Sequence, residues 1–336
     1  MTESRCHGRL RARPEDFRVE EVLGFEPGQG GEHLWVELEK TGWNTADVAL
    51  QLARAASLPV RAVGFSGLKD RHAVTRQWFS LHLPGRADPE LSALPSGIRV
   101  LNRVRHGRKL NRGTHRGNRF SITVRELQGE AGLIRQALEQ IRRDGVPNYF
   151  GEQRFGRDDN NVRRALEWLR AGGAAPRKPA LRSLWLSALR SRLFNEVLAE
   201  RERRGVWNRV LPGDLLQPDG SRGLFRADDD PAAEHRVASG DVHPTAPLPG
   251  RGGLQPEGEA AALEAQVLAP WQDVVAALAA EGVEAARRST RLPVQDLHWQ
   301  QQDQTLTMHF LLPAGAFATS VLATFMDWND HVVDRE

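Results

Sequence analysis

Scarcity says a good deal about this chain. Among 336 residues there is one cysteine, Cys6, and one tyrosine, Tyr149. A single thiol excludes an intrachain disulfide framework and any cysteine-based zinc cluster. With no HExxH and no clustered histidines, no metal site is expected. No apolar run is long enough to span a bilayer. The opening Met1-Thr2-Glu3-Ser4-Arg5-Cys6 lacks the apolar core of a secretory signal. A reduced, cytoplasmic protein without membrane association is therefore expected. The glycine-rich "GQGGEH" (28–33) has neither a following helix nor a Lys-Ser/Thr pair, so it reads as a turn rather than a phosphate loop. Cys6 and His7 are sequence neighbours near a terminus, a poor arrangement for a thiol pair.

Lysine is scarce too, limited to Lys40, Lys69, Lys109 and Lys178, so arginine supplies nearly all of the positive charge. The net charge is only +3, and its distribution tells more than its total. From Leu91 to Arg125 there is no acidic residue. The same stretch carries Arg99, Arg103, Arg105, Arg108, Lys109, Arg112, Arg116, Arg119 and Arg125, with His106 and His115. Like charges repel unless something anionic lies against them. Val100, Leu101, Val104, Leu110, Phe120 and Ile122 interleave the run, which marks it as folded. A folded basic ribbon favours a polyphosphate partner over a bare solvated face.

Length allows one or two domains. "EDFRVEEV" (15–22) and "EHLWVELEK" (32–40) read as strands, the second alternating Leu34, Val36 and Leu38. A helix is expected over 44–57, then a buried strand over 62–68. "RQWFSLHL", "GIRVLNRVRHG" and "NRFSITVREL" continue the strands, and a helix follows over 130–143. The middle is helical, with "NNVRRALEWLRAG" and "ALRSLWLSALRSRLFNEVLAERERRG" each closed by a glycine, Gly172 and Gly205. Asp228-Asp229-Asp230 reads as a solvated turn, 239–259 as a Gly/Pro-rich loop, and 270–286 as helical. A hairpin is expected from Leu292 and a final helix over 316–328. Sheet, helices, then sheet again suggests an α+β domain interrupted by an inserted module.

The densest polar stretch is "GFSGLKDRHAVTRQWFSL" (64–81), where Asp70 stands among Lys69, Arg71 and His72. Two readings are open: an ion pair serving a turn, or a reactive carboxylate at a strand exit. Surrounding cations favour the charged form of a half-buried acid. Such a group can attack a sugar anomeric carbon. Glycosidases need a second carboxyl group, and none sits in this motif. In "RGNRF" (116–120), Asn118 and Phe120 share a strand face. The amide could bond a base edge while Phe120 covers its plane, and core packing explains Phe120 equally well. Arg11 and Arg13 could approach the site from the first strand, and neither is assigned a role.

In this order, "RPEDFRVEE" (13–21), the 64–80 motif, "HRGNRFSI" (115–122), "GVPNYFGEQRFG" (145–156), "GDVHPTAPL" (240–248) and "LPAGAFATSVL" (312–322) resemble the tRNA pseudouridine synthase D family. The resemblance runs almost end to end, and KDRHAVTRQ with its ordered companions is highly specific. It implies a pseudouridine-synthase catalytic domain with a mixed, largely antiparallel sheet, residues 1–143 plus 291–336. An inserted α/β domain would span 144–290. It implies isomerisation of uridine at position 13 of tRNA, with Asp70 as the catalytic nucleophile. Phe17, Asn118 and Phe317 fall where the family contacts substrate, and Phe120 where related synthases use tyrosine. Lys69, Arg71 and His72 are expected to hold the tRNA backbone. No cofactor, no metal and no obligatory protein partner are implied, and the protein is expected to act as a monomer. One departure is Ala246, in "HPTAPL", where the family has glycine; a local turn is expected to change there. Two rivals remain: a tRNA-binding protein without catalysis, and a nucleoside N-glycosidase.

Overall fold

The computed structural model describes residues 6–171 and 173–330. Met1–Arg5, Gly172 and 331–336 lie outside the described residues, and so does the helix-closing role expected of Gly172. The chain forms two compact units, Met1–Arg142 with Val294–Glu336, and Arg143–Pro293.

In chain order the elements open with β1 (Cys6–Leu10), β2 (Phe17–Val22), β3 (Gln29–Lys40) and α1 (Thr45–Ala55). Then come β4 (Val63–Phe65), β5 (Val74–His82), β6 (Ile98–His106), β7 (Gly117–Gln128) and α2 (Ala131–Asp144). The second unit holds β8 (Val146–Pro147), α3 (Asn160–Ala171), α4 (Pro179–Arg203), β9 (Leu215–Pro218), β10 (Phe225–Arg226), α5 (Ala233–Ser239) and β11 (Val242–Leu248). It continues through α6 (Gly258–Leu268), α7 (Gln272–Ala280), β12 (Ala286–Ser289) and β13 (Arg291–Leu292). The first unit is completed by β14 (Gln295–Gln302), β15 (Thr305–Pro313), α8 (Ala318–Leu322) and β16 (Met326–Asp330).

The first unit is built on one mixed sheet, ordered β14-β15-β7-β2-β5-β3-β6, with β1, β4 and β16 off this path. β2 and β5 run parallel, while β7 is antiparallel to both β2 and β15. Alternation decides what each face buries. Leu34, Val36 and Leu38 of β3 meet Phe79 and Leu81 of β5 under Val48 and Leu52 of α1. Each such side chain contributes about 1.5–3 kcal/mol of burial. On the other face Trp35, Trp78, Leu23 and Leu110 form a smaller cluster.

Two expectations for this unit change. The helix expected over 316–328 is only α8, and Met326–Asp330 is instead a strand paired in parallel with β1. Its helical periodicity is short, and the unpaired edge of β1 offers a full ladder of backbone hydrogen bonds. "GQGGEH" is not a free turn: from Gln29 it opens β3, with an irregularity in its register to β6.

The second unit packs α3, α4, α6 and α7 around Leu189, Leu193, Phe194, Val197 and Leu263. Gly205 follows α4 at φ 70°, a conformation that suits a helix-closing glycine. The fully buried Arg201 and Asp214 form an ion pair there; breaking such a pair costs about 3–5 kcal/mol. A four-stranded sheet, β10-β9-β11-β12, completes the unit. Its central strand β11 lies within the segment expected to be loop. Pro244 and Pro247 hid it, because proline argues against central strands. Val242–Pro244 pair with β9 and Thr245–Leu248 with β12, so each half leaves one edge free for a residue without an N–H. Ala246 therefore sits in a strand, fully buried, and not in a turn. Asp230 of the expected solvated turn pairs with Arg236 and accepts the Ala232 N–H. The whole chain is α+β, with a mixed sheet.

Candidate active site

Four neighbouring strands carry the same signature: an apolar stripe that turns polar at one end. In β2 it reads Phe17, Val19, Glu21; in β7, Ile122, Phe120, Asn118. In β5 it reads Phe79, Gln77, Thr75, and in β3 Leu34, Val36, Leu38, Lys40. Register aligns these residues in rows, because partners across a ladder share a face. Asn118, Glu21, Gln77 and Leu38 form one row, and Phe120, Val19, Thr75 and Lys40 the next. The loop from Ser66 to Ala73 joins β4 to β5 beside this polar patch.

The loop's backbone is held at almost every residue. Lys40, 1% exposed, donates from Nζ to the Asp70 carbonyl at 2.8 Å and to the Trp43 carbonyl at 2.7 Å. The Gly42 N–H donates to the Arg71 carbonyl at 3.0 Å. Thr45 Oγ1 accepts the Lys69 N–H at 2.9 Å and donates to Gln77 Oε1 at 3.0 Å. Gln77 Nε2 in turn donates to the Gly67 carbonyl at 3.3 Å. Burial pushes the Lys40 ammonium down to about 8; Asp70 opposes that shift and Lys69 adds to it.

Lys69 does not point outward as expected. Its side chain is buried, with Nζ 3.0 Å from Glu21 Oε2. Glu21 lies on the buried face of β2, where an unpaired carboxylate would cost several kcal/mol, so the neighbouring ammonium is drawn inward. His115 stands 4.0 Å from the same carboxylate. Ser66 Oγ accepts the His115 N–H at 2.8 Å and lies 2.5 Å from Nδ1, to which its hydroxyl can donate. Burial lowers the His115 pKa, favouring the neutral ring that this bond needs.

Asp70 is left as the accessible acid of the loop, with 37% of its side chain exposed. Oδ1 accepts the His72 N–H at 3.0 Å, a local turn that fixes the carboxylate's direction. Oδ2 lies 3.1 Å from Arg11 Nη2. Arg11 follows β1 at φ 51°, with its guanidinium 4.4 Å above the Phe17 ring and its other amino group paired with Asp330.

The expected site residues divide by position. Phe17 and Phe120 are buried and meet edge to face at 6.3 Å, and Phe120 also stacks on Phe310 at 5.4 Å. Packing thus accounts for most of the Phe120 surface. Asn118 is buried, and its Oδ1 has no hydrogen-bond partner among the described residues. Phe317 is 46% exposed and precedes α8 on a loop that leaves β15 where Leu312 pairs with Asn118. Arg71 and His72 are exposed, with Arg71 Nε bonded to the Gly42 carbonyl.

Part of the basic ribbon is neutralised from within. Arg99 pairs with Glu39, Arg105 with Asp88, Arg119 with Glu20 and Arg125 with Asp16. Arg103, Arg108 and Arg116 have no carboxylate partner among the described residues. No group of His, Cys, Asp and Glu side chains among the described residues could hold a metal ion.

The tRNA pseudouridine synthase D (TruD) family model matches residues 1–165 and 158–325. The chain belongs to this family. Proteins named tRNA pseudouridine synthase D from Pseudomonas putida and Azotobacter vinelandii are each 46% identical to it. The first alignment covers 95% of this chain and 91% of the relative, the second 97% and 93%. A crystal structure from Methanosarcina mazei, assigned to the same family, superposes with a TM-score of 0.75 at 22% identity. That match covers 97% of this chain and 95% of the other, and shows the common fold.

Sequence reasoning missed Lys40, Thr45, Gln77 and Glu21, and brought Arg11 toward the site together with Arg13 without giving either a role. Lys40 and Glu21 carried a signal: each puts a charge where strand alternation calls for an apolar residue. Nothing local ranks Arg11 above Arg9 or Arg13.

Proposed function

We propose that the chain isomerises uridine to pseudouridine in tRNA, at position 13, with Asp70 as the nucleophile. The observation that carries this reading is one part-exposed carboxylate, aimed by Arg11 and the His72 N–H, on a loop whose backbone is otherwise fixed. Family membership supports the substrate class, since the relatives are named tRNA pseudouridine synthases. The unit built on the large mixed sheet is read as the catalytic domain, and Arg143–Pro293 as the insertion.

In this mechanism Asp70 Oδ attacks the ribose C1′ as the C1′–N1 bond breaks, and the uracil departs with the bonding electron pair. The base turns in place, C5 attacks C1′, and the Asp70 carboxylate is released. Loss of the C5 proton to solvent and gain of a proton from solvent at N1, which gave up its bond to C1′, complete the isomer, so atoms and charge balance without an added reactant. Reaching the base requires unstacking it, at a cost of a few kcal/mol. Phe317, exposed beside the polar patch, offers a face to offset that cost. The unpartnered Asn118 Oδ1 suits the uracil N3–H, because a buried acceptor without a donor costs about 1–3 kcal/mol. Arg71 and His72, exposed beside Asp70, are assigned to the RNA backbone; Lys69 acts through Glu21 as a support. Phe120 is assigned to holding Phe17 in place beneath Arg11. A monomer acting in the cytoplasm belongs to the same reading, and no described helix is long and apolar enough to cross a membrane.

Asp70→Asn tests the assignment: product should vanish while tRNA affinity stays within about twofold. Free uracil released by the wild type would instead indicate an N-glycosidase, and affinity without product a binding protein. A substrate deuterated at C2′ separates nucleophilic attack, which retains the label, from proton removal by the same carboxylate, which washes it out.

A further inference from the structure

The second unit contains two arginines that meet one aromatic ring. Arg288, on β12, lies with its guanidinium 4.2 Å above the Phe150 ring and 5.8 Å from Phe194. Asn148 accepts from its Nη2 at 2.5 Å through Oδ1, and from Nε at 3.4 Å through its carbonyl. Its Nη1 makes no hydrogen bond to the described residues. Arg154 approaches the same ring, its Cζ 5.4 Å from the centroid, and is exposed. Neither guanidinium has a carboxylate partner among the described residues.

Four other arginines of this unit have partners within the protein. Arg201 and Arg287 pair with Asp214 and Glu264, while Arg190 and Arg291 donate to backbone carbonyls. The platform between Arg154 and Arg288 is also fixed. Asn195 bonds both the N–H and the carbonyl of Phe150 at 3.0 Å, and Phe150 meets Phe194 edge to face. Two like charges against one ring repel, and a half-buried guanidinium without a counter-ion is costly. Burial first, and then Arg154, push the Arg288 pKa down to about 10. An aromatic face orients the planar fork, and such a fork matches a phosphate.

We propose that Arg154 and Arg288, oriented by Phe150, bind one backbone phosphate of the RNA substrate. This rests on the tRNA reading above and adds a contact in "NYFGEQRFG", a motif given no role in the chemistry.

The test is the affinity of full-length protein for unmodified tRNA across a KCl series, for wild type, Arg154→Gln, Arg288→Met and the double variant. One phosphate held only while both guanidinia are present predicts that each single variant lowers the slope of log K against log salt by about 0.7–0.9, the whole contribution of one phosphate. The double variant should lose no more than either single one. A wild-type slope in Arg154→Gln would overturn the site, and so would an additive loss in the double variant. Arg154 is exposed, so its variant should fold even if Arg288→Met does not. Inorganic phosphate that raises the melting temperature of wild type but not of Arg154→Gln, beside an unchanged tRNA slope, would assign the site to free anion and overturn the RNA contact. Pseudouridine formation is read in parallel. Wild type that binds tRNA with the predicted slopes yet makes no pseudouridine sinks the enzymatic reading and leaves this site standing. Normal pseudouridine formation with an unaltered slope does the reverse.

Discussion

The Asp70 loop and the Arg154–Phe150–Arg288 platform handle charge in opposite ways. Around Asp70, most charges find a partner inside the protein: Lys69 with Glu21, Arg11 with Asp70 and Asp330, and Lys40 with two carbonyls. Around Phe150 two guanidinia share one ring and no acid. A reacting group must be aimed before the substrate arrives, because misplacement by about 1 Å can cost 100-fold in rate. A group that only binds can leave its donors open for the ligand. On the proposed reading the first region serves chemistry and the second association.

Substitutions can sharpen or break that contrast. The largest effect is expected for Arg11→Met, which should lower kcat by about 100- to 1,000-fold, on the scale of losing one preorganised charge. Its tRNA affinity should change less than twofold; a loss confined to affinity would make Arg11 a binding residue. Lys40→Met should lower kcat by about 100-fold through misplacement of Asp70. It should also lower stability by about 1–3 kcal/mol for each carbonyl left without a donor, as read from urea unfolding. An unchanged kcat in a folded variant would show that the loop keeps its shape without Lys40. For Asn118→Ala, kcat/KM should fall about tenfold while stability holds or rises, since the lost acceptor has no hydrogen-bond partner among the described residues. Lower stability would mean that the amide serves the fold.

The smallest effect is a pH dependence of stability. Burial depresses the Lys40 pKa from 10.5 to about 8. Below pH 8 both folded and unfolded chains hold this proton, and the penalty for burying the charge is fully present. Between about pH 8 and 10 the unfolded chain holds more protons, so the Lys40 contribution to stability should rise with pH. Melting curves of wild type, referenced to Lys40→Met, should show this relative gain, and parallel curves would contradict it.

Much of the first unit was legible because its strands alternate cleanly. Leu34, Val36 and Leu38 announced β3, and Phe120, Ile122 and Val124 announced β7. What was lost depends on partners distant in sequence. Met326–Asp330 becomes a strand only because Cys6–Leu10 lies alongside. β11 contains two prolines and is a strand only because β9 and β12 take different halves. At the candidate site, Asp70 stood out by motif, whereas the residues that aim it did not. Arg11 reaches it from the end of β1, and Lys40 through a main-chain carbonyl. Lys69 was misjudged because a basic neighbour in sequence was assumed to share the acid's surroundings, when the buried Glu21 draws it the other way.

The most direct test of the central claim is a pseudouridine map of unmodified bulk tRNA incubated with purified protein, beside Asp70→Asn. Wild type should introduce one new pseudouridine, at position 13, and the variant none while still binding tRNA. Pseudouridine made by Asp70→Asn, or none made by either protein on tRNA that both bind, would contradict the assignment of Asp70 as the nucleophile of a tRNA pseudouridine synthase.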